Sequence, residues 1–298
     1  MKQDYHQLLK PEIINTVSGL TLISKIIAEG YLTGLNHSAR VGYGMEFSQY
    51  RAYENGDDLR LLDWKMLARS GRYYIKQSEI ETNVSIKFIL DASLSMLHKE
   101  DGLTKIDFAK VLIASLSYLA QKQGDAVGLF ALNEKSFISL QPKIQKQHFN
   151  RLLAELIEIN NEGKWPNDTL NSDKLHDRAH KELVFFITDL YEHDKELTNF
   201  IKQLKTTKNE VVVLHLLGKN EANFNYKGSV TFEDLETGNK LKVDTKEVKR
   251  TYLKNAELMM NQTKDFLLKN KINYHLFQLD EPIHKAIKFF IDKRTKMN

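Results

Sequence analysis

Residues 84–96 read VSIKFILDASLSM, an apolar run that ends in a carboxylate and two serines. The run Ile86–Leu90 is apolar except for one lysine, which is typical of a short strand buried on both faces of a sheet. Directly after this run, Asp91, Ser93 and Ser95 alternate along an extended turn. One carboxylate and two hydroxyls can therefore converge on one point at the end of the first predicted strand.

From this strand onward, the sequence alternates between strand-like and helix-like patterns. Strands separated by helices indicate a mostly parallel sheet with helices on both faces, the α/β fold class. Further strands are predicted at Ala126–Leu132, Leu183–Thr188, Val211–Leu217 and Asn273–Gln278, with a hairpin over Gly228–Val243 that turns at Glu236–Asn239. Helices are predicted around Phe108–Leu119, Phe149–Ile157, Lys195–Lys205, Thr245–Asn270 and Pro282–Arg294.

The N-terminal part of the chain has a different texture. Apolar residues recur every three to four positions from Ile13 to Ile27, which predicts an amphipathic helix. The following stretch is dense in Gly, Arg, Asp and Tyr and shows little periodicity. We therefore expect an N-terminal segment at residues 1–81 and an α/β domain at residues 82–298.

The composition excludes several classes of protein. Because the chain has no Cys, it has no disulfide framework, no thiolate metal site and no cysteine nucleophile. Its 43 Lys and Arg against 39 Asp and Glu give a net charge of +4, an excess too small to demand a nucleic-acid partner. The start of the chain lacks the apolar core of a signal peptide, and the apolar stretches are shorter than the roughly 20 residues of a membrane span. We therefore predict a cytoplasmic protein without a membrane span.

Two carboxylates follow predicted strands, and both would lie at the same edge of a parallel sheet. In open sheets of this class, functional groups collect at the carboxyl ends of the strands, which selects Asp91 and Asp189. Hard oxygen ligands of this sort suit Mg²⁺, and Mn²⁺ accepts the same ligands. Thr169, which lies between them in the chain, could add a hydroxyl. The alternative interpretation is that Ser93 or Ser95 caps the following turn while Asp91 binds loop amides.

The run Asp91–Ser95 resembles the Asp-x-Ser-x-Ser signature of von Willebrand factor A domains. In that family, the motif begins the metal-ion-dependent adhesion site, which a Thr from a second loop and an Asp from a third loop complete. The resemblance implies that Thr169 and Asp189 hold those two places. The Gly that commonly precedes this Thr is replaced here by Asp168.

A second signature lies upstream, where residues 51–64 read RAYENGDDLRLLDW. This block resembles that of a bacterial family named domain of unknown function 58, in which it directly precedes a von Willebrand factor A domain. Longer members carry membrane helices before the block, and this chain departs from them by lacking such helices, so a soluble location is expected. The near-matched count of Arg and Asp predicts an internal salt-bridge network, and a partner-binding surface is the alternative. The matching positions are Arg51, Tyr53, Gly56, Asp57, Asp58, Arg60, Asp63 and Trp64.

The two resemblances imply a non-enzymatic, Mg²⁺-dependent interaction protein. Members of the family are associated with MoxR-type AAA+ ATPases in the maturation or assembly of other proteins. A metal held by Asp91, Ser93, Ser95 and Thr169 would leave a coordination position that an Asp or Glu of the partner can fill.

Enzymatic alternatives fit the sequence less well. A phosphoryl-transfer enzyme that uses Asp91 as its nucleophile needs a second carboxylate two residues later, where this chain has Ser93, and a hydroxyl is a poor general acid near neutral pH. The pair His176 and His180 resembles a zinc-protease motif, but Asp177 stands where that motif has its catalytic Glu. The chain has neither a P-loop nor a Gly-x-Ser-x-Gly elbow.

Overall fold

The structure is a computed structural model. The chain divides into two compact units, Met1–Leu32 with Val84–Met297 and Thr33–Asn83. The first 32 residues group with the larger unit. The predicted domain boundary between residues 81 and 82 stays a prediction. The residues that the structure describes are 8–36, 47–54, 62–78, 84–166, 175, 181–192 and 194–295.

Strands and helices alternate through the larger unit. The smaller unit contains one antiparallel pair of strands and one short helix among its described residues. The strands are β1 (Phe47–Ala52), β2 (Tyr74–Ser78), β3 (Ser85–Asp91), β4 (Lys99–Glu100), β5 (Leu103–Thr104), β6 (Ala126–Leu132), β7 (Phe137–Lys143), β8 (Glu182–Thr188), β9 (Asn209–Leu217), β10 (Ser229–Glu233), β11 (Lys240–Asp244) and β12 (Asn273–Gln278). The helices are α1 (Pro11–Ile14), α2 (Val17–Asn36), α3 (Trp64–Ser70), α4 (Lys105–Lys122), α5 (Lys146–Ile157), α6 (Glu196–Leu204), α7 (Lys219–Asn223), α8 (Thr245–Lys269) and α9 (His284–Thr295).

The main sheet of the larger unit has the order β12-β9-β8-β3-β6-β7 within the described ranges. Numbered along the chain, this is the 3-2-1-4-5-6 order of doubly wound folds, whose direction of progression reverses between β3 and β8. All neighbours pair in parallel except β7, which runs antiparallel to β6. The predicted fold class, a mostly parallel sheet with helices on both faces, is confirmed.

The sheet separates two apolar cores because successive side chains of a strand point to opposite faces. Phe88 and Leu90 of β3 pack with α4, α5 and α9 on one face, together with Leu20 and Ile23 of α2. Ile89 packs on the other face with residues of α6 and α8. The lysine of the β3 run, buried on this second face, forms an ion pair with the carboxylate of Glu182 in β8. A buried charge in an otherwise apolar strand is therefore neutralised by its neighbour.

Several local features differ from the sequence prediction, and two of them have a clear cause. The N-terminal helix is split into α1 and α2, because Thr16 accepts a hydrogen bond from the backbone N–H of Gly19 at 3.0 Å and so begins a new helix. The edge strand β7 was not predicted, since Leu140 is its one fully buried residue and an edge strand of this kind lacks an apolar run. Among the described residues, none of the helices combines the length and the apolar character that a bilayer span requires.

A buried ion pair closes the amino-terminal edge of the sheet. The Arg294 guanidinium in α9 binds both carboxylate oxygens of Asp125, at 2.5 Å through Nε and 3.0 Å through Nη2. The same carboxylate accepts the backbone N–H of Val84 at 3.2 Å, just before β3 begins. The last helix is thereby tied to the start of the central strand.

Replacing Arg294 by Met should lower the free energy of unfolding by about 3–5 kcal/mol, because it leaves the Asp125 carboxylate buried without its cation. Urea unfolding monitored by circular dichroism measures this change. Arg151→Met is the matched control, since Arg151 forms an exposed i,i+4 pair with Glu155 and should change stability by less than about 1 kcal/mol. Equal effects of the two substitutions would contradict a structural role for the Arg294 pair.

Candidate functional site

Asp91 ends the central strand β3 at the point where the sheet order reverses. Its side chain is 1% exposed, so both carboxylate oxygens need partners within the chain. Oδ1 accepts the backbone N–H of Ser93 at 3.0 Å, and Oδ2 accepts the hydroxyl of Thr188 at 2.7 Å. Because Thr188 ends the adjacent strand β8, this second bond joins the carboxyl ends of the two central strands.

The two serines of the motif continue the cluster from Asp91 to Asp189. The hydroxyls of Ser93 and Ser95 lie 2.9 Å apart, and the Ser95 hydroxyl donates to Oδ1 of Asp189 at 3.1 Å. Ser93 precedes a short 3-10 helix at Leu94–Leu97, but its hydroxyl makes no capping hydrogen bond there. The structure therefore brings together four of the predicted residues, and the Ser93 side chain belongs to the cluster rather than to a cap.

The loop that follows α5 holds the backbone of the motif in place. The side-chain amide of Asn161 donates to the carbonyl of Ser93 at 2.8 Å, and the N–H of Leu94 donates to the carbonyl of Gly163 at 2.9 Å. These bonds fix the backbone of the extended turn, and the positions of the two serine hydroxyls follow from that backbone. The predicted fifth residue, Thr169, lies outside the described residues, and its place in the site stays a prediction.

Lys105 is a member of the cluster that the sequence analysis missed. It is the first residue of α4, and its buried ammonium lies 3.0 Å from Oδ2 of Asp189 and 3.0 Å from Oε1 of Glu221. A cation at the N-terminus of a helix is opposed by the helix dipole. A Lys directly after the Thr104 cap could therefore have indicated a buried ion pair, because a cation at this position needs a carboxylate nearby.

The two aspartates of the cluster differ in their proton affinity. Burial raises the pKa of Asp91 to about 6, the charge of Asp189 adds to this rise, and the hydrogen bonds from Thr188 and Ser93 oppose it. Burial also acts to raise the pKa of Asp189, but the charge and hydrogen bond of the Lys105 ammonium, together with the backbone N–H of Tyr191 and the charge of His215, hold that pKa below its usual value. Among the described residues, no cationic side chain forms an ion pair with Asp91. Of the two aspartates, Asp91 is therefore the one whose charge is not neutralised by a cationic side chain of the described residues.

A glutamate from the hairpin of β10 and β11 also belongs to this neighbourhood, and it too was missed. Burial, with the charges of Asp189 and Asp91, raises the pKa of Glu236 to about 7, and the polar side chain of Ser95 nearby acts against this rise. Its Oε1 is fully buried and has no hydrogen-bond partner. Its position in a hairpin turn gave no sequence signal, because turns are usually polar and exposed.

The donors of the cluster are carboxylate and hydroxyl oxygens, the type that a hard divalent cation would use. Within the described ranges, no group of three His, Asp or Glu side chains is arranged to hold a metal. A cation here would depend on the Asp91 carboxylate and on the hydroxyls of Ser93 and Ser95, and would keep part of its water shell. Oxygen donors suit Mg²⁺ or Mn²⁺, and a cation would neutralise the charge of the Asp91 carboxylate.

The smaller unit contains the described part of the upstream signature. The carboxylate of Asp63 accepts the backbone N–H groups of Lys65 and Met66 at 2.9 and 3.0 Å and so caps α3. Trp64, the first residue of that helix, is 64% exposed. The ring of Tyr53 lies 6.2 Å from that of Tyr73, and the backbone of Arg51 pairs with Ile75 across β1 and β2. The structure does not describe the remaining predicted positions, Gly56, Asp57, Asp58 and Arg60, or the His176 and His180 pair.

The sequence matches the family described as "Protein of unknown function DUF58" over residues 49–262, well over half of the chain. Similar curated proteins include "Uncharacterized protein Mb1516" of Mycobacterium bovis and "Uncharacterized protein Rv1480" of Mycobacterium tuberculosis. Each is 24% identical over 146 residues, which cover 49% of this chain and 46% of the relative. The match thus spans about half the length of these curated relatives.

Several solved structures are similar to this chain. The conserved hypothetical protein BatB of Bacteroides thetaiotaomicron is 17% identical, with a TM-score of 0.45 over 72% of this chain and 100% of that one. The SpRpn10 VWA domain is 10% identical, with a TM-score of 0.40 over 70% of this chain and 95% of that one. A von Willebrand factor type A protein from Catenulispora acidiphila is 15% identical, with a TM-score of 0.36 over 72% and 43% of the two chains.

Replacing Lys105 by Met should lower the free energy of unfolding by about 3–5 kcal/mol in metal-free buffer, because two carboxylates would then face each other without their cation. Chemical denaturation measures the effect. Lys135→Met is the control, since the ammonium of Lys135 forms an exposed pair with Glu162 at 3.1 Å that should contribute less than about 1 kcal/mol. If the two variants are equally stable, Lys105 does not neutralise the cluster.

Proposed function

Since the chain belongs to the DUF58 family, and since its central strand ends in an oxygen-donor cluster, we propose that it is a non-enzymatic, Mg²⁺-dependent protein-interaction module. The observation that carries the proposal is the linked set of Asp91, Ser93, Ser95 and Asp189 at the reversal point of the sheet. Open α/β sheets bind their ligands at this point.

The cation would be held by the Asp91 carboxylate and the hydroxyls of Ser93 and Ser95, with Thr169 as a further predicted ligand. Asp189 already accepts hydrogen bonds from Ser95 and Lys105, so its contribution is to orient the serine hydroxyl. Bound Mg²⁺ would supply a positive charge with replaceable waters, to which a carboxylate of a partner can bind.

The residues of the motif favour binding over phosphoryl transfer. A phosphoryl-transfer enzyme that uses Asp91 as its nucleophile needs a second carboxylate two positions later as general acid and base. The residue two positions later is a serine whose hydroxyl lies within the cluster. The alternative of a Mg²⁺-dependent phosphoryl-transfer enzyme therefore has less support.

We assign the partner to the class of MoxR-type AAA+ ATPases, which the resemblance of the upstream signature suggests. Recognition would use an acidic side chain of that partner at the metal. The modest net charge of +4 gives no reason to propose a nucleic-acid ligand. The cytoplasmic location expected from the sequence stays a prediction.

Asp91→Ala should abolish Mg²⁺ binding measured by isothermal titration calorimetry, because it removes the carboxylate that lacks a countercharge. The helical circular dichroism should stay unchanged. Asp265→Ala is the matched control, since Asp265 is exposed on α8, far along the chain from the cluster, and should leave Mg²⁺ binding intact. Equal Mg²⁺ affinity of the wild-type and Asp91→Ala proteins would exclude the site.

Binding of a MoxR-type AAA+ ATPase should weaken when Mg²⁺ is chelated and return when Mg²⁺ or Mn²⁺ is added. By reciprocity, the partner should tighten Mg²⁺ binding by the same factor. A pull-down with the purified ATPase measures the first effect, and Asp189→Ala should reduce it. Binding that is indifferent to both the chelator and Asp189→Ala would place the interface elsewhere, for instance around the exposed Trp64.

A further inference from the structure

The proposed site is closed to an incoming side chain. Asp91 and Ser93 are each 1% exposed, Asp189 is 8% exposed and Ser95 is 9% exposed. A carboxylate of a partner that binds a cation on these groups must come within direct coordination distance. Some part of the chain must therefore move before a partner can reach the cluster.

The hairpin of β10 and β11 reaches the cluster with a rigid tip. The carboxylate of Asp234 accepts the N–H of Glu236 at 2.9 Å and the hydroxyl of Thr237 at 2.6 Å. The N–H of Gly238 donates to the carbonyl of Asp234 at 2.7 Å, and Gly238 has φ of +72°, a conformation that glycine adopts without strain. The tip is thus locked in one shape, which fixes the direction in which Glu236 leaves the backbone.

Glu236 differs from its neighbours on the same hairpin. Glu233 is exposed and pairs with Lys240, and Leu235 is 42% exposed, as expected of a surface hairpin. Glu236 instead has one carboxylate oxygen fully buried without a hydrogen-bond partner, next to Ser95. An unsatisfied buried carboxylate oxygen costs free energy, so this arrangement is not explained by the stability of the metal-free protein.

Aromatic packing holds the strands of the hairpin up to its tip. The ring of Phe232, two residues before Asp234, lies against that of Phe224 with centroids 5.8 Å apart, and the Phe224 ring lies 4.7 Å from that of Tyr252 in α8. One contact that joins the tip to the loop after β8 is a hydrogen bond from the exposed hydroxyl of Tyr191 to Asp234 at 3.3 Å. The turn beyond Phe232 can therefore lift while the aromatic packing of the strands stays in place.

We propose that Glu236 is the chain's own substitute for the acidic side chain of the partner, and that the hairpin tip must lift to admit that partner. This inference rests on the proposed function, because it assumes a cation on the Asp91 cluster. Glu236 brings to the cluster the same chemical group that the partner would bring. The two carboxylates therefore compete for one place, and the closed hairpin lowers the affinity for any external carboxylate.

Glu236→Gln tests the inference, because it keeps the size of the side chain and removes the charge that competes. Mn²⁺ is the metal probe, its binding followed by electron paramagnetic resonance, and acetate is the carboxylate probe, titrated against the water-proton relaxation of the bound Mn²⁺. Acetate affinity should rise about tenfold in Glu236→Gln, which is the size of a typical coupling between two ligands. Glu233→Gln on the same hairpin is the matched control and should behave as the wild-type protein.

The outcomes separate this inference from the proposed function. If the wild-type protein binds Mn²⁺ and Asp91→Ala does not, but acetate affinity is the same in Glu236→Gln, Glu233→Gln and wild type, the inference is wrong and the metal site stands. If none of the variants binds Mn²⁺, both proposals are wrong.

Discussion

The carboxylate of Asp91 has to be satisfied by the chain around it, because it ends the central strand of the sheet where water is excluded. The bond from the Thr188 hydroxyl meets part of this need and at the same time joins the ends of β3 and β8. The parallel register of these two strands is what brings the two residues to the same level. The position of Asp189, and through it that of Ser95 and Lys105, follows from this junction. The site is thus built on the same pairing that builds the sheet.

Sequence patterns predicted those parts of the structure that depend on local order. The apolar runs gave the parallel strands, and the alternation of Asp91, Ser93 and Ser95 gave the convergence of their side chains. The rest could not be predicted because it depends on contacts between residues far apart in the chain. Lys105 meets Asp189 across 84 positions, and Glu236 reaches the cluster from a hairpin that is inserted after β9. A Lys at the start of a helix indicates that a carboxylate lies nearby but not which one, and a Glu in a hairpin turn gives no local signal.

The upstream signature separates into residues with a local role and residues without one. Asp63 is required as the cap of α3, which explains an acidic residue directly before that helix without reference to a partner. Trp64 follows it and remains 64% exposed, although Trp is usually buried. Asp63 thus has a role within its own helix, whereas the exposure of Trp64 is not explained by that helix. Whether the block is a salt-bridge network or a partner-binding surface stays a prediction.

The charges around the strand ends explain why a metal, the hairpin and a partner would act together. Lys105 neutralises Asp189 permanently, since its ammonium is buried between that carboxylate and Glu221. Burial and the charge of Asp189 raise the pKa of Asp91 to about 6. Burial and the charges of Asp189 and Asp91 raise the pKa of Glu236 to about 7, so negative charge accumulates here in the absence of a cation. A divalent cation would offset this negative charge, which favours its binding with the hairpin closed. A partner carboxylate can then take the place of Glu236 without adding charge to the cluster. The exchange therefore costs little electrostatic free energy. The affinity for one partner over another would then depend on the contacts that surround the metal.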